Sequence, residues 1–325
     1  MTAARDELTV RDATEADVPR LVELMAASLG TGGVPRSAAF FRWKHFDNPF
    51  GASPVLVAED RGRLVGLRTF LRWELRRGEG VLHAVRAVDT ATHPAYRGRG
   101  IFRRLTLELL GRMKAEGVDF VFNTPNAKSG PGYLKMGWRT VGLVPVFLRP
   151  RLALAMRPFR RSDWGEVTEE ERAALRRAAA DRRPDAWVRA AAGPNGHTPR
   201  SPAYLRWRYL DIPGIEYGAA FHPASHLLVF RRRLRRGLRE LTLCEVALAP
   251  GPRAAAAAAR ALRAASRGAD VVTMSAAVDT RLRRLATLVG FAPIGGPLLM
   301  SRPLASPPIE SFTGWWWSLG DLELF

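Results

Sequence analysis

A turn built from arginine and glycine is the part of the sequence best suited to bind an anion. Arg97-Gly98-Arg99-Gly100 follows a strand-like segment that ends near Thr92, and an amphipathic helix is expected from Ile101. The first N–H groups of a helix lack partners within the helix, and the helix dipole adds positive charge at that end. Because glycines let the backbone curve around a ligand, the turn predicts a phosphate or pyrophosphate site.

The spacing of this turn differs from that of two common nucleotide-binding loops. The stretch Arg97–Phe102 lacks the Gly-x-Gly-x-x-Gly pattern of dinucleotide-binding folds and the Gly-Lys-Ser/Thr of phosphate-binding loops in NTPases. It has the pattern Arg-Gly-x-Gly-x-Phe instead. A different ligand that contains phosphate is therefore expected.

Two blocks of the sequence resemble the acyl-CoA-binding part of the GCN5-related N-acetyltransferase (GNAT) superfamily. Arg97-Gly-Arg-Gly-Ile-Phe102 is similar to the signature Gln/Arg-x-x-Gly-x-Gly/Ala, with Phe102 in place of the final small residue. The segment Asn126-Ala-Lys-Ser-Gly-Pro-Gly-Tyr133-Leu-Lys-Met-Gly-Trp138 resembles the family's Asn-x-x-Ala-x-x-x-Tyr-x-x-x-Gly-Phe. The opening, Val10–Asp17, is similar to the first strand and helix of the family, and the resemblance covers residues 8–148.

The resemblance implies an N-acyltransferase that moves an acetyl group from acetyl-CoA, or another acyl group from its CoA thioester, to an amine. The amine would attack directly in a ternary complex, without a covalent enzyme intermediate and without a metal. Backbone N–H groups near the end of the strand would polarise the thioester carbonyl. The turn would hold the pyrophosphate, and Asn126 would bind the pantetheine arm or order its loop. The implied cofactor-binding residues are Ala91, Thr92, Arg97, Gly98, Arg99, Gly100, Ile101, Phe102 and Asn126.

Tyr133 and Asp89 are the implied catalytic residues. Tyr133 is expected to be the general acid that protonates the departing CoA thiolate, and its alternative role is that of a core aromatic. Asp89 is the carboxylate best placed to accept the amine proton, and its alternative role is structural. Strand alternation predicts that Asp89 shares one face with His83, Val85, Ala87 and Ala91.

Other routes for the amine proton stay open. His83 and His93 are weaker candidates for the base, and water can carry the proton instead. Cys244 has no neighbour in the sequence suited to activate it as a nucleophile. The base therefore need not be a single residue.

A mixed sheet with helices on both faces is needed to position these residues. Asp12 or Thr14 is expected to cap the first helix, and Arg61-Gly62 predicts a hairpin turn. An amphipathic helix is predicted from Ile101 to about Glu116. The other predicted elements of the first half are strands at 8–11, 54–60, 63–71, 82–92 and 118–123, a short helix at 129–136 and a strand pair from about residue 138. The pattern indicates an α/β or α+β fold.

The second half of the chain repeats the first. Residues 35–49 and 199–213 share a Pro-Arg-Ser start, a central Arg-Trp pair and an Asp-x-Pro end at one fixed offset. We therefore predict two tandem GNAT-like domains, each with a mixed, mostly antiparallel twisted sheet flanked by helices. The predicted division is an acyl-CoA-binding catalytic domain at 1–150, a helical connector at 151–196 and a degenerate domain at 197–325.

The second copy lacks the residues that would bind acyl-CoA. Pro250 and Pro252 stand where the glycine turn is expected, and proline has no backbone N–H to offer a phosphate. Ala286 takes the position that corresponds to Tyr133. We expect this copy to buttress the first and to complete the acceptor pocket. The tryptophans at 315–317 are expected to seal the two domains or to form a wall of that pocket.

Composition limits the classes of function. The formal charge of +19 permits nucleic-acid binding, but only four of the 50 basic residues are lysine, and the densest run, Arg231–Arg239, falls at a predicted hairpin turn. The sequence has no zinc-finger, RNA-recognition or helix-turn-helix pattern, so nucleic acid is not the expected partner. A single cysteine, Cys244, excludes an intramolecular disulfide. Without a membrane-span or signal-peptide pattern, the expected compartment is the cytoplasm.

A small-molecule amine is the expected acceptor, with amino sugars, antibiotics, polyamines and protein N-termini all open. Two alternative functions also stay open. One is a FemABX-type aminoacyl or peptidyl transferase on a tandem GNAT scaffold, which would use aminoacyl-tRNA and lose affinity steeply with salt. The other is a non-catalytic module that binds CoA.

Overall fold

The computed structural model describes one long mixed sheet with helices on both faces. The described residues are 8–29, 36–150, 164–194, 196–235, 237–275, 280–288, 290–307 and 309–322. The first part of the predicted connector, residues 151–163, lies outside the described residues. Two helices follow it, as the composition of the connector predicts: α5 (Glu169–Ala179) and α6 (Arg183–Ala192).

The first half contains the elements that its sequence predicts, up to the last strand. Its strands are β1 (Thr9–Asp12), β2 (Val55–Asp60), β3 (Arg63–Arg77), β4 (Gly80–Thr92), β5 (Phe120–Asn123) and β6 (Arg139–Pro150). Its helices are α1 (Val18–Leu29), α2 (Ala38–His45), α3 (Ile101–Ala115) and α4 (Gly130–Lys135). The side chain of Asp17 accepts a hydrogen bond from the N–H of Thr14 at the first helical turn.

The second half has the same order of elements from α7 to β12 as the first half has from α2 to β6. Its helices are α7 (Pro202–Leu205), α8 (Pro252–Ala265) and α9 (Thr280–Leu288). Its strands are β7 (Gly196–His197), β8 (Gly218–His222), β9 (His226–Arg235), β10 (Leu238–Leu248), β11 (Val271–Ser275), β12 (Ala292–Pro303) and β13 (Trp315–Trp316). The hairpin of β9 and β10 carries the arginine run.

The two halves exchange their last strands. The strand order is β1-β2-β3-β4-β5-β12-β6-β11-β10-β9-β8. β12 of the second half pairs with β5 of the first, β6 of the first half pairs with β11 of the second, and β12 and β6 pair with each other. Each half is therefore completed by a strand of the other.

The prediction of a local strand pair from about residue 138 is wrong. That stretch forms one long strand, β6, whose partners β11 and β12 both belong to the second half. The alternation of side chains fixes which face of a strand is buried, but it does not identify a distant partner strand. The predicted division into domains at 150 and 197 stays a prediction.

Helices cover both faces of the first half. Val57 and Leu67 pack with α1 and α2, whereas Leu56 and Val85 pack with α3 and α4. β2 is therefore buried on both sides, as expected for a strand between two helical layers. The predicted fold class, a mixed and mostly antiparallel sheet flanked by helices, is confirmed. No helix in the described part of the chain has the length and apolarity required to span a membrane.

Two tryptophans of the repeated segments join the halves at their centre. Trp43 of α2 and Trp207, just after α7, each donate an indole N–H to the other's carbonyl oxygen, at 2.7 and 2.9 Å. Their rings stack with centroids 5.1 Å apart. Near the C-terminus, Trp317 is fully buried, and its ring lies 5.4 Å from that of Phe122 on β5. Trp317 thus packs on a strand of the first half, as a sealing role of the tryptophans at 315–317 requires.

Candidate functional site

A gap opens in the sheet where β4 and β5 separate. The two strands pair in parallel from Ala84 to Arg86 of β4, opposite Phe120 to Phe122 of β5. β4 then continues along β3 as far as Thr92, while β5 ends at Asn123. The backbone of β4 that faces this gap is available for a ligand that needs hydrogen-bond donors.

The N–H of Thr92 is directed into the gap. The N–H of His93 donates to the carbonyl oxygen of Val65 on β3, at 2.9 Å. Alternate residues of an antiparallel strand direct their N–H groups to opposite sides, so the N–H of Thr92 is directed away from β3 and that of Ala91 toward it. Of the two residues expected to polarise a carbonyl, Thr92 therefore has the suitable orientation.

A β-bulge at Asp89 reverses the faces of β4 just before the gap. Asp89 has a φ of +38°, and the register between β3 and β4 shifts at this point. Val85 and Ala87 consequently pack with α3, whereas Ala91 packs with α1. The predicted single row of side chains is therefore wrong, because a bulge inserts one extra residue into the alternation.

The glycine turn lies between β4 and α3 and has the predicted backbone shape. Gly98 and Gly100 have φ values of +78° and +75°, and Gly100 directly precedes the first residue of α3, Ile101. L-residues with a Cβ avoid this conformation, which explains the glycines. A Cβ at either position would meet no described atom within 4 Å, so the turn faces open space. The N–H groups at the start of α3 are thus accessible to an anion.

The arginines around the turn are exposed, and contacts of their guanidinium groups hold them in place. Arg97 donates from Nη2 to the carbonyl oxygen of Ser28 at 2.9 Å, and Arg104 donates from Nη1 to that of Leu8 at 3.1 Å. The guanidinium of Arg99 lies 4.7 Å from the centre of the Tyr96 ring. These contacts hold several positive charges close to the open turn, which favours a polyanionic ligand.

Phe102 and Tyr133 bring the two sequence blocks together. Their rings meet edge to face with centroids 5.5 Å apart, and Tyr133 also packs on Trp138 at 4.9 Å. Tyr133 is buried on α4, and a Cβ at Gly132 would lie 3.2 Å from the Phe102 ring. Phe102 therefore packs against α4. The absence of a side chain at Gly132 makes room for the Phe102 ring.

Arg68 of β3 is a charged residue of this region that the sequence analysis missed. Its side chain is fully buried, and Nε, Nη1 and Nη2 have no hydrogen-bond partner among the described residues. The guanidinium carbon lies 4.9, 5.5 and 5.4 Å from the ring centres of Phe70, Phe102 and Tyr133. The sequence offered little signal for it, because β3 carries four further arginines, at 63, 72, 76 and 77.

Asn126 orders the loop between β5 and α4. Its side-chain oxygen accepts hydrogen bonds from the N–H groups of Lys128 and Ser129, both at 3.0 Å, and from the hydroxyl of Ser129 at 3.1 Å. Such a turn fixes the chain just before a helix. Of the two expected roles of Asn126, the structure favours ordering of the loop.

Asp89 is held by two residues of α2. Its Oδ2 lies 2.7 Å from Nζ of Lys44 and 2.8 Å from Nε2 of His45, and Nδ1 of His45 lies 3.0 Å from the hydroxyl of Ser53. Burial acts to raise the pKa of Asp89, but the charge of Lys44 and the hydrogen bond from His45 hold it well below its usual range. The carboxylate is therefore a weak proton acceptor that anchors the bulge to α2.

The two histidines considered as bases have different positions. His83 lies near the start of β4, about 30 Å along the strand from Thr92 at the usual rise per residue. His93 adjoins the glycine turn and lies 2.7 Å from a nitrogen of Arg63. Desolvation and the charges of Arg63 and Arg97 lower the pKa of His93. The structure brings His93 to the site and places His83 away from it.

The second half contains a corresponding gap. β10 pairs with β11 from Glu240 to Leu243 and continues along β9 to Leu248, with a register shift between Leu243 and Glu245. Glu245 occupies the place of Asp89: its carboxylate lies 2.8 Å from Nε of Arg200 and accepts a hydrogen bond from Tyr209 at 3.3 Å. Burial raises the pKa of Glu245 to about 7, against the charge of Arg200.

The C-terminal segment of the chain fills this second gap. The N–H of Gly320 donates to the carbonyl oxygen of Cys244 on β10 at 2.9 Å. The hydroxyl of Ser275 on β11 donates to the carbonyl oxygen of Trp317. Ser318 donates from its hydroxyl to Glu245 at 3.1 Å. At the start of α8, Pro250 and Pro252 offer no backbone N–H. We call residues 317–322 the C-terminal plug.

Two other kinds of chemistry find no support in the described residues. They contain no group of three His, Cys, Asp or Glu side chains placed to hold a metal ion. Cys244 is buried, and burial raises the pKa of its thiol to about 11. A thiol with so little thiolate at neutral pH is a poor nucleophile.

A family model and a curated protein each match part of the chain. The family described as an acetyltransferase (GNAT) domain matches residues 9–141. N-alpha-acetyltransferase RimI of Mycobacterium tuberculosis is 34% identical over 146 residues, which make up 44% of this chain and 85% of that protein.

Solved structures share the fold across both halves. A probable N-acyltransferase from Enterococcus faecalis has a TM-score of 0.65 and 12% identity, with 92% of this chain and 73% of that one covered. A GCN5-related N-acetyltransferase from Anabaena variabilis has a TM-score of 0.64 and 13% identity over the same shares. Eis1 from Mycobacterium abscessus has a TM-score of 0.57 and 16% identity, with 91% and 74% covered.

Proposed function

The chain belongs to the GCN5-related N-acetyltransferase (GNAT) family, and we propose that it transfers an acetyl group from acetyl-CoA to an amine. One observation carries the proposal: in the first half, the open glycine turn and the gap between β4 and β5 occur together. Their combination suits a ligand with a pyrophosphate at one end and a carbonyl group at the other.

The residues present fit the two ends of acetyl-CoA. The N–H groups from Gly98 to Phe102 would hold the pyrophosphate, with the exposed arginines adding charge. The N–H of Thr92 would donate to the thioester oxygen and stabilise the negative charge that develops there during attack. Ala91 would contribute backbone beside it. Asn126 would keep the loop before α4 in place.

Tyr133 is the proposed general acid. It lies on α4, next to Phe102 of the phosphate-binding helix. When the amine attacks the carbonyl carbon, the C–S bond breaks and its electron pair leaves with sulfur. The phenol would then give its proton to the thiolate.

We propose that Asp89 acts as a positioning residue and that water carries the amine proton away. The carboxylate is already bound to Lys44 and His45, and its low pKa makes it a weak base. Its role would be to hold the bulge of β4, which directs the N–H of Thr92 into the gap.

A small-molecule amine is the proposed acceptor, in the cytoplasm. The name of the 34% identical relative, N-alpha-acetyltransferase, supplies one specific alternative, the α-amino group of a peptide. The second half would be a degenerate tandem copy that supports α2 through Trp43 and Trp207 and helps to form the acceptor side.

Release of CoA thiol in the presence of an amine panel tests the proposal. The panel contains amino sugars, polyamines, aminoglycosides and peptides with free α-amino groups, with acetyl-CoA and longer acyl-CoAs as donors. We expect turnover with at least one amine, and Tyr133→Phe should lower kcat by about 10²- to 10⁴-fold. Tyr217→Phe, in the second half, is the matched control and should keep kcat within about twofold.

Two results would redirect the assignment. Tight CoA binding without turnover on any amine would favour a non-catalytic module. Binding of aminoacyl-tRNA that weakens steeply with salt, together with weak CoA binding, would favour a FemABX-type transferase.

A further inference from the structure

Arg68 is a buried cation that the mechanism above does not use. Its side chain has 0% exposure, and its three guanidinium nitrogens have no hydrogen-bond partner among the described residues. A buried guanidinium is normally paired with an anion, because taking it out of water is strongly unfavourable. Aromatic rings offset only part of that cost. The arrangement therefore indicates that an anion joins Arg68 when the protein works.

The position of Arg68 limits which anion can reach it. Its two neighbours on β3 pair with β4: Leu67 lies opposite Ala91, and Thr69 lies opposite Val88. Arg68 therefore lies opposite the bulge of β4. Its side chain extends to the α3 face, where its guanidinium lies beside Phe102 and Tyr133. The unpaired charge is thus next to the proposed general acid.

We propose that Arg68 and Tyr133 form a subsite for the thiolate of CoA. This rests on the proposed function, which generates one negative charge at this place. As the amine nitrogen bonds to the carbonyl carbon, the electron pair of the broken C–S bond leaves on sulfur. The guanidinium of Arg68 stabilises that charge until the proton of Tyr133 neutralises it. The loss of stability that the unpaired cation causes in the free protein is recovered when the thiolate forms.

The test compares CoA with S-methyl-CoA, which has the same phosphates and pantetheine but cannot form a thiolate. Affinities are measured by titration calorimetry near pH 8, just below the pKa of about 8.5 that is usual for a cysteine thiol. Wild-type protein should bind CoA about tenfold more tightly than S-methyl-CoA, as a charge-assisted contact would give. The ultraviolet absorbance band of the thiolate should grow as CoA binds.

Two variants locate the effect at Arg68. In Arg68→Met the preference for CoA over S-methyl-CoA should disappear, and the thiolate band should not grow. Arg103→Met is the matched control: Arg103 is an exposed arginine of the first turn of α3, so its loss should weaken both ligands by the same factor. A preference that persists in Arg68→Met overturns the proposal.

Thermal unfolding without ligand separates this role from a structural one. Because Arg68→Met removes an unpaired buried charge, the Tm of the free protein should rise or stay unchanged. A clear fall in Tm would mean that Arg68 stabilises the free fold, and it would overturn the proposal. This comparison needs no activity measurement.

The wild-type protein alone already distinguishes the possible failures. Equal binding of CoA and S-methyl-CoA overturns the thiolate subsite but leaves the proposed function intact. Binding of neither ligand overturns both. Succinyl-CoA binding about tenfold more tightly than acetyl-CoA, with the difference lost in Arg68→Met, would assign the anion to the acyl chain and overturn the thiolate assignment.

Discussion

The two gaps in the sheet both form where a bulged strand separates from its neighbour, but only the second is filled by another segment of the chain. In the first half β4 bulges at Asp89 and separates from β5, and in the second half β10 bulges just before Glu245 and separates from β11. The first gap adjoins a glycine turn with free space around it. The second is filled by the C-terminal plug, whose Gly320 donates to the backbone of Cys244. The same arrangement of strands thus leaves backbone donors open in the first half and pairs them with the chain's own backbone in the second.

The difference shows which features decide between these outcomes. A bulged, separated strand presents backbone donors and acceptors that must be satisfied. In the second half the plug supplies the partners, and the two prolines at the start of α8 remove the donors that a phosphate would need. In the described residues of the first half, no segment fills the gap and no proline stands in the glycine turn. The backbone N–H groups there remain available.

The largest expected effect concerns the anchor of the first bulge. Asp89→Asn removes the carboxylate that binds Lys44, which is buried, and should lower the free energy of unfolding by about 3 kcal/mol. Lys44→Met in the same chain should recover much of this loss, because the buried charge is then gone as well. Urea unfolding of the two single variants and the double variant measures the coupling. Strictly additive losses would show that the two side chains do not form an energetic pair.

The two bulge carboxylates should respond to pH in opposite directions. Glu245 has a pKa of about 7 in the folded chain and about 4.5 when unfolded, so its contribution to stability is complete below about pH 4.5. That contribution is lost as pH rises through about 7, on the order of 3 kcal/mol. Asp89 has a depressed pKa, so its contribution is present above about pH 3.9 and lost on further acidification.

Unfolding free energies between pH 3 and 8 measure these slopes. Glu245→Gln should remove the loss of stability between about pH 4.5 and 7. Asp89→Asn should remove part of the loss below about pH 4. An unchanged slope in Glu245→Gln would mean that Glu245 is already ionised at low pH and is paired with Arg200 throughout.

A substitution in the C-terminal plug should give the next largest change in stability. A Cβ at Gly320 would lie 1.9 Å from the hydroxyl oxygen of Tyr209 and 3.1 Å from the carbonyl oxygen of Cys244. Gly320→Ala should therefore destabilise the protein by about 1–3 kcal/mol. The stoichiometry of CoA binding should stay at about one, because Pro250 and Pro252 still lack donors. A second bound CoA in calorimetry would show that the plug alone closes the second gap.

The glycine turn should give the smallest change in stability and a clear change in binding. Gly98→Ala and Gly100→Ala place a Cβ at φ values of +78° and +75°, which costs about 1 kcal/mol each and distorts the turn. CoA affinity should fall about tenfold. Gly111→Ala, within α3, is the control and should leave affinity unchanged while raising stability slightly. Equal affinity in all three variants would place the phosphates elsewhere.

Local signals in the sequence predicted much of the first half. The glycines at 98 and 100, the helix from Ile101 and the Asn126–Tyr133 spacing each depend on a few neighbouring residues. Such signals fix turns, caps and helix faces, and the structure has them where they were expected. The fold class, a mixed sheet flanked by helices, could be predicted from the order of these elements.

The contacts that the sequence analysis missed join residues far apart in the chain. Exchange of β6 and β12, and insertion of the plug, depend on packing between halves that no local pattern encodes. The bulge at Asp89 depends on its partners Lys44 and His45, so simple alternation gave the wrong face for Ala91. Arg68 looked like one more arginine in a chain with many.

Amide hydrogen exchange with and without acetyl-CoA tests most directly whether the first gap alone binds acyl-CoA. We expect slower exchange at residues 90–92 and 98–102 when acetyl-CoA is present. The amide of Gly320 should exchange slowly in both states, and residues 249–253 should not change. New protection at 249–253, or faster exchange at Gly320, with residues 98–102 unchanged would show that the first gap is not the acyl-CoA site.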